Sequence, residues 1–528
     1  MKNEPKLLLI NVMDKEYVRN FYSPLNLVCL ASYLTKNKKL NRKNIRIINS
    51  GIDNVQKILN SFQPNIIGFS TVTPFYQKTL NLAKIIRKKS KALLIIGGYH
   101  ISALPKSLEK PFDMGVIGEG EDTLSLIIEI WKNNKIKDDD NLLKIPNLVY
   151  FNNSGKLILN DTRKVMDVEK LTKTDWKLIP KNLIVNNIAL PINGKYRLKK
   201  LTLFYTARGC PYNCAFCAHR VMTLNEKGVR FFPLEQVLDE MKYLYHHYKV
   251  DCFQVLDDTF TVSKERVKLM IDGLKKRKML GKICFFNIFV RANTIDPEFS
   301  KLLKDLGVIT VFIGVESGSK KILKKLKDGP ADPKIVEMAI DNLGKFNVYV
   351  IASFMLFSPN ETKNDFEKSI KLAELLVKKN NLFSLSISAT TPYPGTKLWS
   401  EAIESGIIDI KKPNWEDFLM LHLDNNKKMP KIFYNPSWAD KKEIKKLWTK
   451  FINISKKASS KLKKINGLNE VNIKIEKINK SNTAFLNISK RWKRIILDPK
   501  KILKLFTKPE IIKLTIKDIK TFFSKNSV

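Results

Sequence analysis

Three cysteines within eight residues constrain this chain more than any other feature. They are Cys210, Cys214 and Cys217, spaced C-x3-C-x2-C, and they closely follow the strand-like run of residues 201–206. Thiolate is a soft ligand that suits zinc or an iron–sulfur cluster. A structural zinc site, or a cluster held entirely by protein, needs four ligands, and no fourth cysteine follows here. Three ligands with one open position predict a cluster whose fourth iron is available for chemistry.

The same cysteines allow other interpretations. His219 lies two residues after Cys217 and could complete a Cys3His zinc site, as in a non-catalytic zinc or nucleic-acid-binding protein. A disulfide framework is disfavoured, because a chain of 528 residues has only six cysteines, and three of those are isolated. The cluster is therefore the leading interpretation, with the zinc site as its alternative.

Residues 208–217, with the aromatic Phe216 just before the third cysteine, resemble the signature of the radical S-adenosylmethionine (SAM) superfamily. The resemblance implies a [4Fe–4S] cluster on Cys210, Cys214 and Cys217, with SAM on the fourth iron and Phe216 beside it. It also implies that a reductase, flavodoxin or ferredoxin supplies an electron, which cleaves SAM to methionine and a 5′-deoxyadenosyl radical. By the same resemblance, this radical removes a hydrogen atom from an unactivated carbon of the substrate. The cofactor supplies this chemistry, and the protein supplies orientation and exclusion of water.

Residues 1–135 alternate apolar runs of four to six residues with amphipathic stretches. This pattern predicts an α/β domain with a parallel, doubly wound, Rossmann-like sheet. Ligands of such sheets bind beyond the carboxyl ends of the strands. Loops with small residues follow three of the runs, at 70–73, 97–100 and 118–121.

These loops are similar to those of the cobalamin-binding domain that precedes the barrel in one large radical SAM subfamily. The resemblance implies that Ser70, Thr71, Gly97 and Gly98 lie near cobalamin. The D-x-H-x-x-G motif that supplies an axial histidine in other cobalamin proteins is absent, because residues 11–16 read NVMDKE. Cobalamin would therefore be bound without a histidine ligand. The alternative is a Rossmann-like domain that has lost the cofactor.

A second α/β region follows a polar stretch. Residues 136–198 are interrupted and indicate a linker, with a hairpin turn at residues 152–155. From 199 to 408, six strand-like runs each precede a helical segment, which predicts an open, partial (β/α)6 barrel, as radical SAM enzymes have. Its site is expected at the carboxyl ends of the strands. The six runs are 201–206, 252–256, 283–290, 309–315, 348–356 and 383–388.

Polar residues at these strand ends are candidates for SAM contacts. By resemblance, Asp257 and Asp258 contact the methionine amino group, and Glu316 with Arg291 contact the carboxylate and ribose. Carboxylates bind an ammonium or a diol well through charge-assisted hydrogen bonds. Asp258 could instead cap the next helix, and Glu316 could be a buried, paired carboxylate. After the fifth strand, Asn360 replaces a family glycine and can adopt the left-handed conformation of that turn.

The charge of the chain bears on its partners. The net charge is +43, which suggests nucleic acid or an anionic membrane, although a genome biased toward Lys, Asn and Ile codons gives the same excess. Residues 409–528 form a basic, mainly helical region, and apolar residues at 512, 516, 519 and 523 follow helical spacing. Such a helix lies on an anionic membrane or packs on the barrel. The longest apolar run, 348–357, is too short to cross a bilayer, so we expect a cytoplasmic protein, with or without peripheral membrane contact.

Together these features predict a cobalamin-binding radical SAM enzyme, with C-methylation of an unactivated carbon as the leading reaction. A small molecule, a lipid or an isoprenoid-like compound is the expected substrate. Ring or carbon–carbon bond formation by the same radical is the alternative within this class. Modification of tRNA or nucleotides ranks lower, because the sequence has no appended RNA-binding module and no second cysteine cluster.

Overall fold

The computed structural model describes residues 4–13, 23–51, 53–162, 165–171, 173–192, 195–419 and 429–463. These residues form an N-terminal sheet domain, a partial barrel and a helix that packs on the last barrel strand. The amphipathic pattern predicted at residues 512–523 lies outside the described residues. None of the described helices is both long enough and apolar enough to cross a membrane.

The N-terminal domain contains the predicted parallel sheet. Its strand order is β2-β1-β3-β4-β5-β6-β7, in which β1 to β5 are parallel and β6 and β7 are antiparallel. The chain crosses from one side of β1 to the other between β2 and β3, and ligands of open α/β sheets bind at such a switch point. The strands are Leu7–Asn11 (β1), Ile45–Asn49 (β2), Ile66–Ser70 (β3), Leu93–Gly97 (β4), Met114–Val116 (β5), Leu148–Phe151 (β6) and Leu157–Leu159 (β7); the helices are Leu25–Lys36 (α1), Val55–Phe62 (α2), Tyr76–Arg87 (α3), Tyr99–Ala103 (α4) and Glu121–Lys132 (α5).

The stretch predicted as a linker supplies strands to both sheets. The predicted hairpin is confirmed, because β6 and β7 pair across a turn in which Gly155 has a φ of +78°. Trp176 is buried, and its Nε1 donates to Glu240 of the barrel at 2.8 Å, while the Asp175 amide donates to Ser32 Oγ at 2.8 Å. The stretch therefore ties the two domains together. It also contains Asp139–Leu143 (α6), Lys181–Ile184 (α7) and Asn186–Ile192 (β8).

The partial barrel has parallel strands at all six predicted places. The third is interrupted at Asn287, whose φ of +53° divides it into β13 and β14. The strands consequently fall into two sheets, β13-β12-β9-β8 and β14-β15-β16-β17, linked by a bridge between Phe285 and Val308. The strands are Lys195–Phe204 (β9), Ala207–Arg208 (β10), Arg230–Phe231 (β11), Cys252–Val255 (β12), Cys284–Phe285 (β13), Ile288–Val290 (β14), Thr310–Glu316 (β15), Tyr349–Leu356 (β16) and Leu382–Ala389 (β17).

Helices follow the barrel strands in the predicted alternation. They are His219–Met222 (α8), Leu234–Tyr248 (α9), Lys264–Lys276 (α10), Pro297–Leu306 (α11), Lys320–Leu326 (α12), Pro333–Lys345 (α13), Lys363–Lys378 (α14) and Lys397–Glu404 (α15). The turn after β16 has the left-handed Asn360 that the sequence predicts, with a φ of +59°. Thr362 then caps α14 in a capping box with Asp365.

A long C-terminal helix, Lys441–Lys463 (α16), covers the last barrel strand. Ser455 Oγ donates to the Leu385 carbonyl of β17 at 2.8 Å. Phe357 is fully buried and stacks toward Trp448 of this helix, with ring centres 6.5 Å apart. The inner face of α16 is apolar and buried, whereas lysines occupy its outer face. The buried residues are Ile444, Trp448, Phe451, Ile454 and Ala458.

Candidate active site

The three motif cysteines lie on one loop between β10 and α8. All three are free thiols and are partly exposed. The loop is held at Ala215, whose amide donates to the Leu326 carbonyl at 2.8 Å and whose carbonyl accepts from the Leu398 amide at 3.0 Å. The Asn213 amide donates to Asp328 Oδ2, also at 2.8 Å. Helices α12 and α15 therefore fix the loop from two sides.

Phe216 is half-buried and packs into a small apolar cluster under the loop. The cluster contains Ile322 and Leu326 of α12 and Leu398 of α15. The ring thus helps to seat the loop on the barrel. A contact between Phe216 and SAM stays a prediction.

The donor set of this loop fits an iron–sulfur cluster. Burial raises the pKa of the Cys210 thiol to about 11 and that of Cys217 to about 12. Coordination to a metal supplies the positive charge that keeps such thiols deprotonated. Side-chain nitrogens also face two of the sulfurs. Arg291 Nη1 lies 3.2 Å from Cys214 Sγ, and His219 Nδ1 lies 3.4 Å from Cys217 Sγ.

A zinc site and an iron–sulfur cluster place different demands on the three thiols. In the part of the chain that the structure describes, no three His, Cys, Asp or Glu side chains converge on a position for one metal ion. A Cys3His zinc site needs four ligands around a single ion. A [4Fe–4S] cluster does not, because each thiolate binds a different iron.

Asp257 serves the loop before the cysteines. It is buried, and its Oδ1 accepts from the amides of Thr206 and Ala207 at 2.7 and 2.9 Å. The Thr206 hydroxyl donates to Oδ2. The carboxylate therefore accepts three hydrogen bonds from the turn that leads from β9 to the cysteine motif. A direct contact between Asp257 and SAM stays a prediction.

Asp258 is placed differently from its neighbour. Water reaches its side chain, but protein groups surround the carboxylate closely enough for burial to raise its pKa, and Oδ2 accepts from the Gly209 amide, one residue before Cys210, at 3.1 Å. It does not cap the next helix, because Ser263 Oγ accepts from the Arg266 amide at the start of α10. A carboxylate that water reaches beside the cysteine loop has the chemistry to bind an ammonium group. Of the two predicted aspartates, Asp258 is the one available to a ligand.

Glu316 is a buried carboxylate paired with a lysine. Its Oε1 lies 3.6 Å from Lys327 Nζ, and burial raises its pKa. The residue has a φ of +62°, and the register with β16 shifts between Gly314 and Glu316. A bulge at a strand end re-aims a side chain and is common beside active sites. A Cβ on Gly314 would lie 2.0 Å from Glu316 Oε1, so a larger residue there would displace this carboxylate.

Arg291, which is predicted to contact SAM together with Glu316, lies close enough to Glu316 for its positive charge to oppose the rise in the pKa of that carboxyl. Its guanidinium packs on the cysteine loop, 3.6 Å from the centre of the Tyr212 ring, and is hydrogen-bonded to Cys214. The predicted contacts of Glu316 and Arg291 with the carboxylate and ribose of SAM stay predictions.

The four residues predicted for cobalamin come together at the carboxyl edge of the N-terminal sheet. Ser70 pairs with Gly97 in the register of β3 and β4, and the Thr71 amide donates to the Gly97 carbonyl at 3.1 Å. Gly98 has a φ of +100°, and a Cβ there would lie 2.4 Å from the Thr71 carbonyl oxygen. The Thr71 hydroxyl turns inward to Thr79, at 2.8 Å. The edge is therefore a closely packed backbone surface, which suits a flat ligand.

His100, two residues further on, is fully buried rather than exposed on a loop. Its ring stacks on Tyr76 with ring centres 3.9 Å apart, and its nitrogens face Thr73 Oγ1 at 3.3 Å and Ser107 Oγ at 3.2 Å. Burial lowers its pKa to about 3. Because both nitrogens have partners in the chain, this imidazole is not placed to bind cobalt.

Charged side chains join this domain to the cysteine loop. Arg208, two residues before Cys210, donates to Glu121 at 2.7 Å and lies 3.4 Å from Glu119. Arg230 binds Glu119 at 2.6 and 3.0 Å. The two carboxylates are 9% and 5% exposed. The loop after β5, which the sequence marks only by its glycines, thus carries the ionic contact between the domains.

Tyr99 lies between the two halves of the site. It begins α4, which packs against α8, and it is 38% exposed. Burial raises its pKa, and the charges of Asp258 and Cys217 contribute to the shift. Tyr99 follows β4 by two residues and is close enough to Asp258 and Cys217 to feel their charges. The water-accessible space beside Tyr99, between the end of β4 and the cysteine loop, is called the cleft below.

Sequence reasoning missed Arg208, Glu119, Glu121 and Tyr99 as residues of the site. Arg208 could have been noticed as a charge between a buried strand and a metal-binding motif. The two glutamates could have been noticed as acidic residues in a glycine-flanked loop. Their pairing could not be read from the chain, because 87 residues separate Arg208 from Glu121.

Comparisons with known proteins agree with this architecture. A family model described as the Radical SAM superfamily matches residues 204–373, and one described as the B12 binding domain matches residues 15–128. An uncharacterized methyltransferase of Pyrococcus horikoshii is 28% identical over 75% of this chain and 81% of its own length. Bacteriochlorophyllide d C-8(2)-methyltransferase of Chlorobaculum tepidum is 25% identical over 68% of this chain and 72% of its own length. Anaerobic magnesium-protoporphyrin IX monomethyl ester cyclase of Rubrivivax gelatinosus is 24% identical over 69% of this chain and 63% of its own length.

Solved structures have the same fold. The radical SAM methyltransferase TsrM of Kitasatospora setae, with cobalamin and a [4Fe–4S] cluster bound, gives a TM-score of 0.60 at 16% identity over 76% of this chain and 75% of that one. The cobalamin-dependent radical SAM enzyme OxsB, with aqua-cobalamin and SAM bound, gives a TM-score of 0.63 at 17% identity. The match covers 79% of this chain and 64% of the OxsB chain. The two family models imply a [4Fe–4S] cluster, SAM and cobalamin as cofactors. The chain therefore has a domain of the radical SAM superfamily, preceded by a B12-binding domain.

Proposed function

We propose that the chain is a cobalamin-dependent radical SAM methyltransferase that methylates an unactivated carbon of a small molecule. The observation that carries the proposal is the cleft around Tyr99, because it lies between the cysteine loop and the carboxyl edge of β3 and β4. When bound there, the cluster with SAM supplies a hydrogen-abstracting radical, and cobalamin supplies a methyl group. Methyltransferases among the relatives support the same reaction class.

The chain's own residues have defined tasks in this proposal. Cys210, Cys214 and Cys217 hold the cluster, and the exposed Asp258 receives the amino group of SAM. Asp257 fixes the turn that leads to the cysteines. The Glu121–Arg208 pair holds the N-terminal domain against the cysteine loop. Enclosure between two domains excludes water from the reacting atoms.

The test uses protein purified anaerobically with cobalamin and supplied with SAM carrying a deuterated methyl group, a reductant and a small-molecule extract. Methyl transfer produces 5′-deoxyadenosine and S-adenosylhomocysteine together, and a compound that acquires the deuterated methyl group. The Cys214→Ala variant serves as the control and should produce neither nucleoside. Deoxyadenosine formation without S-adenosylhomocysteine would reject methyl transfer.

Deoxyadenosine formation without S-adenosylhomocysteine would favour ring or carbon–carbon bond formation. The cyclase among the relatives is the observation that supports this second function. The radical is generated in the same way, but no methyl group leaves SAM. A product that acquires no deuterium, and that has lost hydrogen relative to its precursor, distinguishes the cyclase reaction.

A lipid or isoprenoid-like substrate is proposed on the basis of the C-terminal region. Lys442, Lys445, Lys446 and Lys450 line the outer face of α16, and the residues after it are also rich in lysine. Basic helices of this kind bind anionic membrane surfaces. Co-sedimentation with phosphatidylglycerol vesicles, but not with phosphatidylcholine vesicles, is the expected result. Equal sedimentation with both would contradict it.

A further inference from the structure

The guanidinium of Arg291 is held against the cysteine loop from several directions. Nη1 donates to Cys214 Sγ at 3.2 Å, and Nη2 donates to the Asp328 carbonyl. Nε donates to Asn293 Oδ1 at 3.3 Å. The plane of the group lies over the Tyr212 ring, 3.6 Å from its centre. All three nitrogens of the side chain therefore have partners within the chain.

Tyr212 is fixed in turn. Its hydroxyl accepts from Asn293 Nδ2 at 3.4 Å, and its backbone carbonyl accepts from Arg220 Nε at 3.5 Å. Arg291 itself follows directly after β14, so its backbone is anchored in the barrel. A guanidinium stacked on a fixed ring loses little freedom when it forms a hydrogen bond. The contact with Cys214 is therefore preorganised.

A fixed cation beside a cluster ligand changes the energy of the cluster's electron. Reduction adds one negative charge to a [4Fe–4S] cluster, and hydrogen bonds to its sulfurs, together with nearby charge, set the reduction potential. The guanidinium stays charged at every working pH. It therefore stabilises the reduced form more than the oxidised form.

We propose that Arg291 raises the reduction potential of the [4Fe–4S] cluster by donating a hydrogen bond to the thiolate of Cys214, and that Tyr212 positions Arg291 for this contact. The electron comes from an external donor, and no covalent bond of the protein forms or breaks in the step. The inference rests on the cluster of the radical SAM domain and is independent of methyl transfer. It gives Arg291 a role other than the predicted SAM contact.

The test compares Arg291→Met and Arg291→Lys with the unaltered protein after anaerobic cluster reconstitution. Iron and sulfide are counted first, and the cluster is then titrated with dithionite and redox mediators, without SAM or substrate, while the reduced form is followed by electron paramagnetic resonance. We expect Arg291→Met to lower the ratio of reduced to oxidised cluster about tenfold at a given potential, a shift of about 59 mV for a one-electron couple. Arg291→Lys keeps the positive charge but loses the planar set of N–H donors. It should therefore lower the reduction potential by a smaller amount.

Two controls separate this role from general effects. Arg277→Met removes an equal charge from the ion pairs between α9 and α10, away from the cluster loop, and should leave the potential unchanged. Tyr212→Leu removes the ring under the guanidinium and should lower the potential, whereas Tyr212→Phe keeps the ring, loses only the hydrogen bond to Asn293, and should lower the potential less. An unchanged potential in a fully loaded Arg291→Met protein overturns the proposal. If that variant holds no cluster, the titration of Arg291→Lys decides in the same way. The readout needs no turnover, so failure to methylate would leave it unaffected.

Discussion

At the scale of single residues, buried polar groups around the site serve the loops that would present the cofactors. Asp257 accepts hydrogen bonds from Thr206 and Ala207, and Glu316 pairs with Lys327. A buried carboxylate without partners is costly, so each persists because the fold supplies donors. Their side chains are therefore structural supports of the cleft, while the exposed Asp258 faces it.

The first prediction concerns Asp257. The Asp257→Asn change replaces one acceptor oxygen with an NH2 group, which leaves a buried donor of Thr206 or Ala207 unmatched. We expect a loss of about 1–3 kcal/mol in stability and less iron per chain after reconstitution. Thermal unfolding and iron analysis measure the two effects. Asp305→Asn, at an exposed ion pair with Lys301 on α11, is the matched control and should change neither.

A second prediction concerns the protonation of His100. Its folded pKa of about 3 lies below the value of about 6.5 for an unfolded histidine. The unfolded chain therefore binds a proton that the folded chain does not, so this residue costs stability as pH falls from 6.5 toward 3. The change is about 1.4 kcal/mol per pH unit within that window.

Nuclear magnetic resonance of histidine-labelled protein provides the measurement. The signal that disappears in His100→Gln should stay that of a neutral imidazole from pH 8 to pH 5. The exposed His247 gives a comparison within the same sample. A midpoint near pH 6.5 for the His100 signal would contradict the burial argument.

At the scale of secondary structure elements, short contacts between distant segments set the geometry of the site. Helix α4 packs on α8, and the loop after β5 binds the strand that leads to the cysteines. The elements themselves are ordinary parallel strands and amphipathic helices. Their positions relative to one another come from these few polar and aromatic contacts.

The third prediction tests the ionic contact between the domains. Glu121→Gln removes the charge of one partner of the half-buried Arg208, which keeps Glu119 at 3.4 Å, and weakening a hydrogen bond to a charged group in this way costs about 1.5–3 kcal/mol. We expect lower thermal stability and faster hydrogen exchange at residues 207–210. Glu129→Gln lies on the same helix, at an exposed ion pair with Lys39, and should cost less than about 1 kcal/mol. Equal effects of the two changes would argue against a special role for Arg208.

The elements were largely predictable from the sequence, whereas the partners of site residues were not. Continuous apolar runs predict parallel strands, because such strands are buried on both faces. The third barrel strand was predicted as continuous, but the left-handed Asn287 divides it. Arg291 was predicted as a SAM contact, but its stacking on Tyr212 and its hydrogen bond to Cys214 were not predicted, because these neighbours come from a loop that lies far away in sequence. Periodicity reports burial and gives no information on such pairings.

At the scale of the whole molecule, an aromatic contact joins the domains on another part of their interface. Trp415 lies against His100 and Tyr76 of the N-terminal domain and against Trp399 of α15, with ring centres 4.6 to 6.3 Å apart. The segment after the barrel therefore returns to the B12-binding domain. Ionic and aromatic contacts together fix the width of the cleft.

The fourth prediction is that Trp415→Ala loosens this arrangement. Each aromatic pair contributes about 0.5–1.5 kcal/mol beyond its buried area, so the loss of three should weaken docking of the domains measurably. Hydrogen exchange in α4 and α8 should increase, and deoxyadenosine should form without a matching amount of methylated product. Trp131→Ala, on α5, is the control. Unaltered exchange in α4 after the loss of Trp415 would refute the prediction.

The position of α16 has a consequence for the behaviour of the protein in concentrated solution. An open barrel ends in a strand whose backbone groups could recruit a strand from another molecule. Here the final strand is shielded by a helix of its own chain, through the buried Trp448 and the bond from Ser455 to the Leu385 carbonyl. Chains that lose this helix, by cleavage or by incomplete synthesis, should therefore self-associate through β17.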